Sequence, residues 1–202
     1  ILFYGDSRHD YSFYTLTWES FTNNEDKVVH NGYGPIHLLL AYLYKIHYLF
    51  PKILFGFSFI YLSYLVFKNI IKKKEKILLI YFYITLQCNF LIISGVFFYG
   101  LNDALVTFFF IFSILFYLNQ RFIFSGIFIS IASLIKFYPI LFVPQLLIMN
   151  RKINFKLFLT ILIFISSFLI LFSFLFDYKL LLEPLSFGSI RGPKFASIIA
   201  SL

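Results

Sequence analysis

Apolar residues in this chain run in long blocks with only short polar interruptions: Ile53–Phe67, Ile77–Phe98, Ala104–Leu118, Phe122–Ile135, Ile140–Met149 and Leu157–Phe176. The blocks do not alternate apolar with polar, as barrel strands facing a lumen must. Each is therefore predicted to be a helix, which satisfies its own backbone hydrogen bonds in lipid. A helix perpendicular to a bilayer needs roughly 20 residues. Phe122–Ile135 and Ile140–Met149 fall short of that and are predicted as partial helices buried against their neighbours. Segment 36–50 differs. At about 100° per residue, His37, Ala41, Tyr44, Lys45 and Tyr48 share one side and Leu38, Leu39, Tyr42, Leu43, Ile46, Leu49 and Phe50 the other. That pattern predicts a helix lying in the outer membrane interface. In the polar stretch before it, "HNGYGPI" (30–36) predicts a tight turn, with Gly32 and Gly34 supplying positive φ and Pro35 starting the next helix. The predicted fold class is all-α, a polytopic transmembrane helical bundle in one domain: first outer loop 5–35, interface helix 36–50, transmembrane helices 53–176, outer loop 177–202.

Charge orients this bundle. Lys68, Lys72, Lys73, Lys74 and Lys76 crowd behind the first complete block, and short cytoplasmic loops carry an excess of Lys and Arg, so this turn is assigned to the cytoplasm. Counting spans from there puts the turns at 119–121 and 151–156 on the same side. Asp6, Asp10, Glu19, Glu25, Asp26, Asp103, Asp177 and Glu183 then all fall outside, leaving Glu75 alone inside. A hydrophobic fraction of 60%, with 31 Phe, excludes an ordinary soluble core. The net charge of +8 sits at the ends of apolar blocks and forms no basic groove with exposed aromatics, which argues against a nucleic-acid partner. A single Cys, Cys88, inside an apolar block rules out an internal disulfide and a Cys-based zinc site. With no Met at its start and no polar tail, the chain is read as a fragment truncated at both ends, with Ile1–Tyr4 the tail of a preceding span.

Candidate chemistry lies on the outer side. In "FFYGLNDALV" (97–106), Asn102 and Asp103 stand between apolar blocks, either as a helix cap or as functional groups. "SLIKFYP" (133–139) puts Lys136 at the outer end of the next rising helix, either snorkelling or facing Asp103 at the same depth. The first outer loop brings Asp6, His9 and Asp10 close behind a membrane exit, where a carboxylate is either an ordinary solvated acid or a base for an acceptor hydroxyl. Arg191 and Lys194 in "SIRGPKF" (189–195) are either solvated or suited to a phosphate or diphosphate.

The segment from Gly100 to Leu147, "GLNDALV…QRFIFSG…LIKFYPILFVPQLL", resembles the core of the GT-C superfamily of membrane glycosyltransferases, in the branch of polyprenyl-phosphate-mannose-dependent α-mannosyltransferases. Gly-x-Asn-Asp opening a helix (Gly100–Asp103), a basic turn (Gln120–Arg121) and a Gly-containing helix ending in Lys-x-x-Pro (Gly126 to Lys136 and Pro139) all occur in order. The resemblance implies a GT-C-like fold and inverting transfer of a sugar, mannose in the branch it favours, from a polyprenyl-phosphate donor to a lipid, glycan or protein acceptor on the non-cytoplasmic face. It implies Asp10 as base, with Asp6 close behind. Lys136 and Arg191, with Lys194 beside the latter, would hold the donor phosphate, and Asn102 and Asp103 would orient the site.

No cofactor is implied with certainty. A D-x-x-H-D spacing is weak evidence for a divalent metal, and the D-x-D of the metal-dependent branches is absent; "HNGYGPI" carries a single Pro where many members of the resembled superfamily have Tyr-Pro-Pro. Bilayer lipids are the other expected partners, in the plasma membrane of a prokaryote or the endoplasmic reticulum of a eukaryote. The rival expectation is a lipid-linked-saccharide flippase or other polytopic transporter, which would place charges at the bilayer midplane in paired halves.

Overall fold

The structure, a computed structural model, describes residues 10–23, 32–71, 102–148, 154–182 and 184. Every element among them is helical. In chain order these are α1 (Asp10–Thr22), α2 (Pro35–Ile46), α3 (Phe50–Ile71), α4 (Asp103–Leu118), α5 (Phe122–Ile135), a 3-10 segment (Tyr138–Phe142), α6 (Val143–Ile148) and α7 (Phe155–Leu175). The block Ile77–Phe98 and the candidates Asp6, Arg191 and Lys194 lie outside the described residues.

Helix α5 is central: it packs against α4, α7, α2 and the 3-10 segment, while α3 packs on α4 and α1 on α2. Small residues make the close approaches. Ser113 of α4 donates to the Ser125 carbonyl of α5 at 2.9 Å, and a Cβ on Gly126 would lie 2.8 Å from the Thr160 side chain of α7. Beside this seam Phe112, Phe116, Phe124 and Phe128 interleave, with Phe112–Phe128 and Phe116–Phe128 ring centroids 5.5 and 5.2 Å apart. Offset aromatic pairs of this kind add about 0.5–1.5 kcal/mol beyond the area they bury. The α4–α5 turn closes as a Schellman motif: Gln120 takes φ 61°, its N–H donates to the Tyr117 carbonyl, and the Arg121 N–H reaches back to the Phe116 carbonyl at 2.8 Å.

By length and composition α7, with 21 residues, is the described helix able to cross a membrane on its own. It turns Phe158, Leu162, Ile163, Ile170 and Phe174 outward. Helices α2 and α3 pass the same test as a pair bent by 116°. Pro35 and Pro51 each occupy the first turn of their helix, where the missing N–H costs no hydrogen bond.

The structure departs from the sequence expectation in three places. The segment expected as loop 5–35 contains α1, whose Tyr14, Thr17, Trp18 and Phe21 form a buried stripe. Its Thr17 and Thr22 hydroxyls donate to carbonyls four residues back, so these polar residues do not disrupt the helix. Helix α2 ends at Ile46 rather than continuing to 50, and burial follows position along it more than the expected sides: His37 and Ala41, from the side expected to be polar and wet, are fully buried together with Leu38 from the apolar side, while Tyr42, Lys45 and Ile46 are exposed. Burial is tolerated because His37 finds an internal partner, described below. Gly34, expected at positive φ, instead has φ −71° and ψ 169°. It must be glycine for space, since a Cβ there would lie 2.1 Å from the Leu134 carbonyl oxygen of α5.

Candidate functional site

The start of α4 and the end of α5 lie side by side. Helix α5 stops at Ile135 because the Pro that follows at 139 disfavours further helix, and Lys136 adopts extended backbone there, with φ −146°. Its side chain reaches Asp103, the first residue of α4, with Nζ 2.7 Å from Oδ1. The carboxylate also sits at the positive end of the α4 dipole. Both groups are partly solvated, the side chains being 25% and 45% exposed for Lys136 and Asp103, so the pair is open to an incoming ligand. The Lys136 ammonium lies 5.5 Å from the centre of the Tyr33 ring, a cation–π contact.

Asn102 does not cap α4 with its side chain. The amide is fully buried and turned towards α1 and α2. Its Nδ2 lies 3.1 Å from His37 Nδ1, and its Oδ1 accepts from the Tyr14 hydroxyl at 3.3 Å. Since Nδ2 can only donate, Nδ1 is the accepting nitrogen and the imidazole proton is on Nε2. The Trp18 indole N–H donates to the His37 carbonyl at 2.9 Å, and the Gly34 N–H to the Ile135 carbonyl at 3.0 Å, tying α1, α2 and α5 together. Tyr33 and Trp18 rings flank the imidazole, 4.5 and 5.2 Å away between centroids.

Helix α2, with 12 residues, is too short to span a bilayer, and His37 belongs to it. Burial, and then the nearby Lys136 ammonium, push the His37 pKa down to about 3, so the ring is neutral. Its Nε2–H has no partner among the described residues.

Of the residues singled out in the sequence, Asn102, Asp103 and Lys136 are brought together at one end of the α4–α5 pair. Asp10 opens α1, one helical turn ahead of Tyr14. Tyr14, Tyr33 and the burial of His37 were not anticipated. A signal for them did exist, in the helical spacing of Tyr14, Trp18 and Phe21 and in a histidine three residues past a glycine that only close packing explains. No group of three or more His, Cys, Asp and Glu converges among the described residues.

Compared with known families, residues 33–182 match the family described as Glycosyltransferase family 87. The match covers most of the chain, from Tyr33 through Gly34, His37, Asn102, Asp103 and Lys136 to the far side of α7. The chain belongs to glycosyltransferase family 87, a family of membrane glycosyltransferases. Asp6, Asp10, Arg191 and Lys194 fall outside the matched stretch. No curated protein and no solved structure matches the chain.

Proposed function

We propose that the protein is an inverting glycosyltransferase of GT-C type that moves mannose from a polyprenyl-phosphate donor to a lipid, glycan or protein acceptor. The reaction takes place on the non-cytoplasmic side of a multi-pass membrane frame. The observation that carries the reading is the partly solvated Asp103–Lys136 pair, 2.7 Å long, at one end of apolar helices. In the reaction an acceptor hydroxyl oxygen attacks the anomeric carbon, its proton passing to a carboxylate. The bond from that carbon to the phosphate oxygen breaks, and the electron pair leaves with the polyprenyl phosphate. Lys136 is the cation for that departing charge, an ammonium already held in place by Asp103 where the phosphate's negative charge develops. Asp103 orients the ammonium, Asp10 is assigned the proton with Asp6 as the lesser candidate, and Arg191 and Lys194 are the further phosphate-binding candidates.

Two measurements test this. Radiolabelled transfer from polyprenyl-phosphate mannose to a total lipid extract should fall on the order of 100-fold or more in Lys136→Met, which keeps length and loses charge. Asp103→Ser should also fall, because a hydroxyl preserves a helix start but holds an ammonium poorly. If Asp103→Ser turns over like the parent while Lys136→Met fails, Asp103 serves only the helix.

The second measurement is topological. In a Cys88→Ser background, Phe137→Cys should react with an impermeant maleimide on intact cells, and Asn119→Cys only after permeabilisation. Both positions are exposed in the structure. The opposite pattern would reverse the sidedness and remove the outer site.

A further inference from the structure

His37 is an expensive residue for its position. The ring is fully buried among aromatic side chains, yet its Nε2–H goes unpartnered among the described residues. An orphaned buried donor of this kind costs stability. Nδ1 is the nitrogen with a partner: it accepts from the Asn102 amide, whose other end accepts from Tyr14. Asn102 in turn carries the backbone that starts α4, its carbonyl accepting from Leu105 and Val106 at 3.0 and 3.1 Å, and Asp103 follows it directly.

We infer that His37 is a positioning residue for the charged pair: through Nδ1 it clamps the Asn102 amide, and the clamp aims Asp103 at Lys136. Two features fix His37 itself. Trp18 donates to its carbonyl, and the Gly34 N–H is bonded to the Ile135 carbonyl, next to Lys136. The clamp thus joins both members of the pair: Asp103 through Asn102, and Lys136 through the contact of α2 with the end of α5. His37 held neutral is a condition of this arrangement, since an imidazolium would have no lone pair at Nδ1 for Asn102 and would stand near the Lys136 ammonium. The contribution to transfer rests on the function proposed above. The contribution to the pair does not.

The test separates these two parts. Asparagine carries an amide oxygen off Cγ, where histidine has Nδ1, whereas glutamine places its amide one carbon farther out, at the reach of Nε2. Full-length His37→Asn, His37→Gln, His37→Phe, Asn102→Leu and Asp103→Ser would be purified in detergent. The rate at which acetic anhydride modifies Lys136 would be followed by peptide mass spectrometry, with Lys45, exposed on α2, as internal control. Asp103→Ser sets the rate for a released ammonium, expected on the order of fivefold above the parent for a partly solvated pair. His37→Phe, His37→Gln and Asn102→Leu should approach that rate, and His37→Asn should stay near the parent. The double variant His37→Phe/Asn102→Leu should gain nothing beyond either single change.

The inference is overturned if His37→Phe leaves Lys136 at the parental rate, if His37→Gln preserves it while His37→Asn does not, or if Asp103→Ser does not raise it. Mannose transfer, measured in parallel, should show kcat falling more than KM changes in His37→Phe, with recovery in His37→Asn. A parent protein that transfers no mannose would remove the proposed function and leave the Lys136 result standing.

Discussion

On the proposed reaction, Asp10→Asn should lower mannose transfer by about 10²–10⁴-fold, the range associated with loss of a general base, while leaving expression and donor binding near normal. Asp10 is the first residue of α1, a position where Asn serves a helix start as well as Asp does. The substitution therefore removes proton-accepting ability and little else. Binding should be spared because the proposed reading gives the donor phosphate to Lys136, just past the end of a different helix. Single-turnover transfer at saturating donor is the measurement. Turnover within about threefold of the parent would take the base away from Asp10 and give it to Asp6 or Asp103. The prediction is demanding because Asp10 lies ahead of the stretch matched to the family, which begins at residue 33.

Gly34→Ala prevents α2 from seating on α5. The new Cβ would stand 2.1 Å from the Leu134 carbonyl oxygen and 2.7 Å from its carbon, and backbone cannot swing aside as a side-chain end can. Relief requires α2 to move away, which breaks the hydrogen bond from Gly34 N–H to Ile135. Overpacking and a lost buried hydrogen bond together amount to about 3 kcal/mol or more. The thermal midpoint in detergent should fall sharply, and Lys136 should lose its Asp103 partner. Gly126→Ala is the comparison: its Cβ meets the Thr160 side chain at 2.8 Å, so α7 or that side chain can yield and the loss is smaller. Equal midpoints for Gly34→Ala and the parent would show that the α2–α5 seating is not what fixes this end of the molecule.

Unbroken apolar blocks made the bounds of α5 and the start of α4 legible to within a residue, because a helix ends where Asn-Gln-Arg or Lys-x-x-Pro interrupts it. Helix α1 was missed since its Ser and Thr residues suit loops as well as helices, and the carbonyls that absorb their hydroxyls are visible only in three dimensions. Periodicity correctly grouped His37 with Ala41 but could not say that the imidazole is buried. That depends on Asn102, 65 residues away, offering a hydrogen bond. The same long-range contact explains why Asn102 could be read from sequence as a cap: a buried amide bridge has no local signature. Asp103 and Lys136 were legible as a pair because two charges at one depth on neighbouring helices have few other places to go.

The chain contains one tryptophan, and it is the residue whose indole N–H holds the His37 carbonyl. Trp18 is fully enclosed, 5.2 Å from the imidazole and 5.6 Å from the Tyr44 ring. Within these 202 residues its ultraviolet emission therefore reports from a single place, the junction of α1 and α2 behind the charged pair. A polypeptide of these residues carries its own optical probe, against which the proposed donor and acceptor lipids can be titrated without a label.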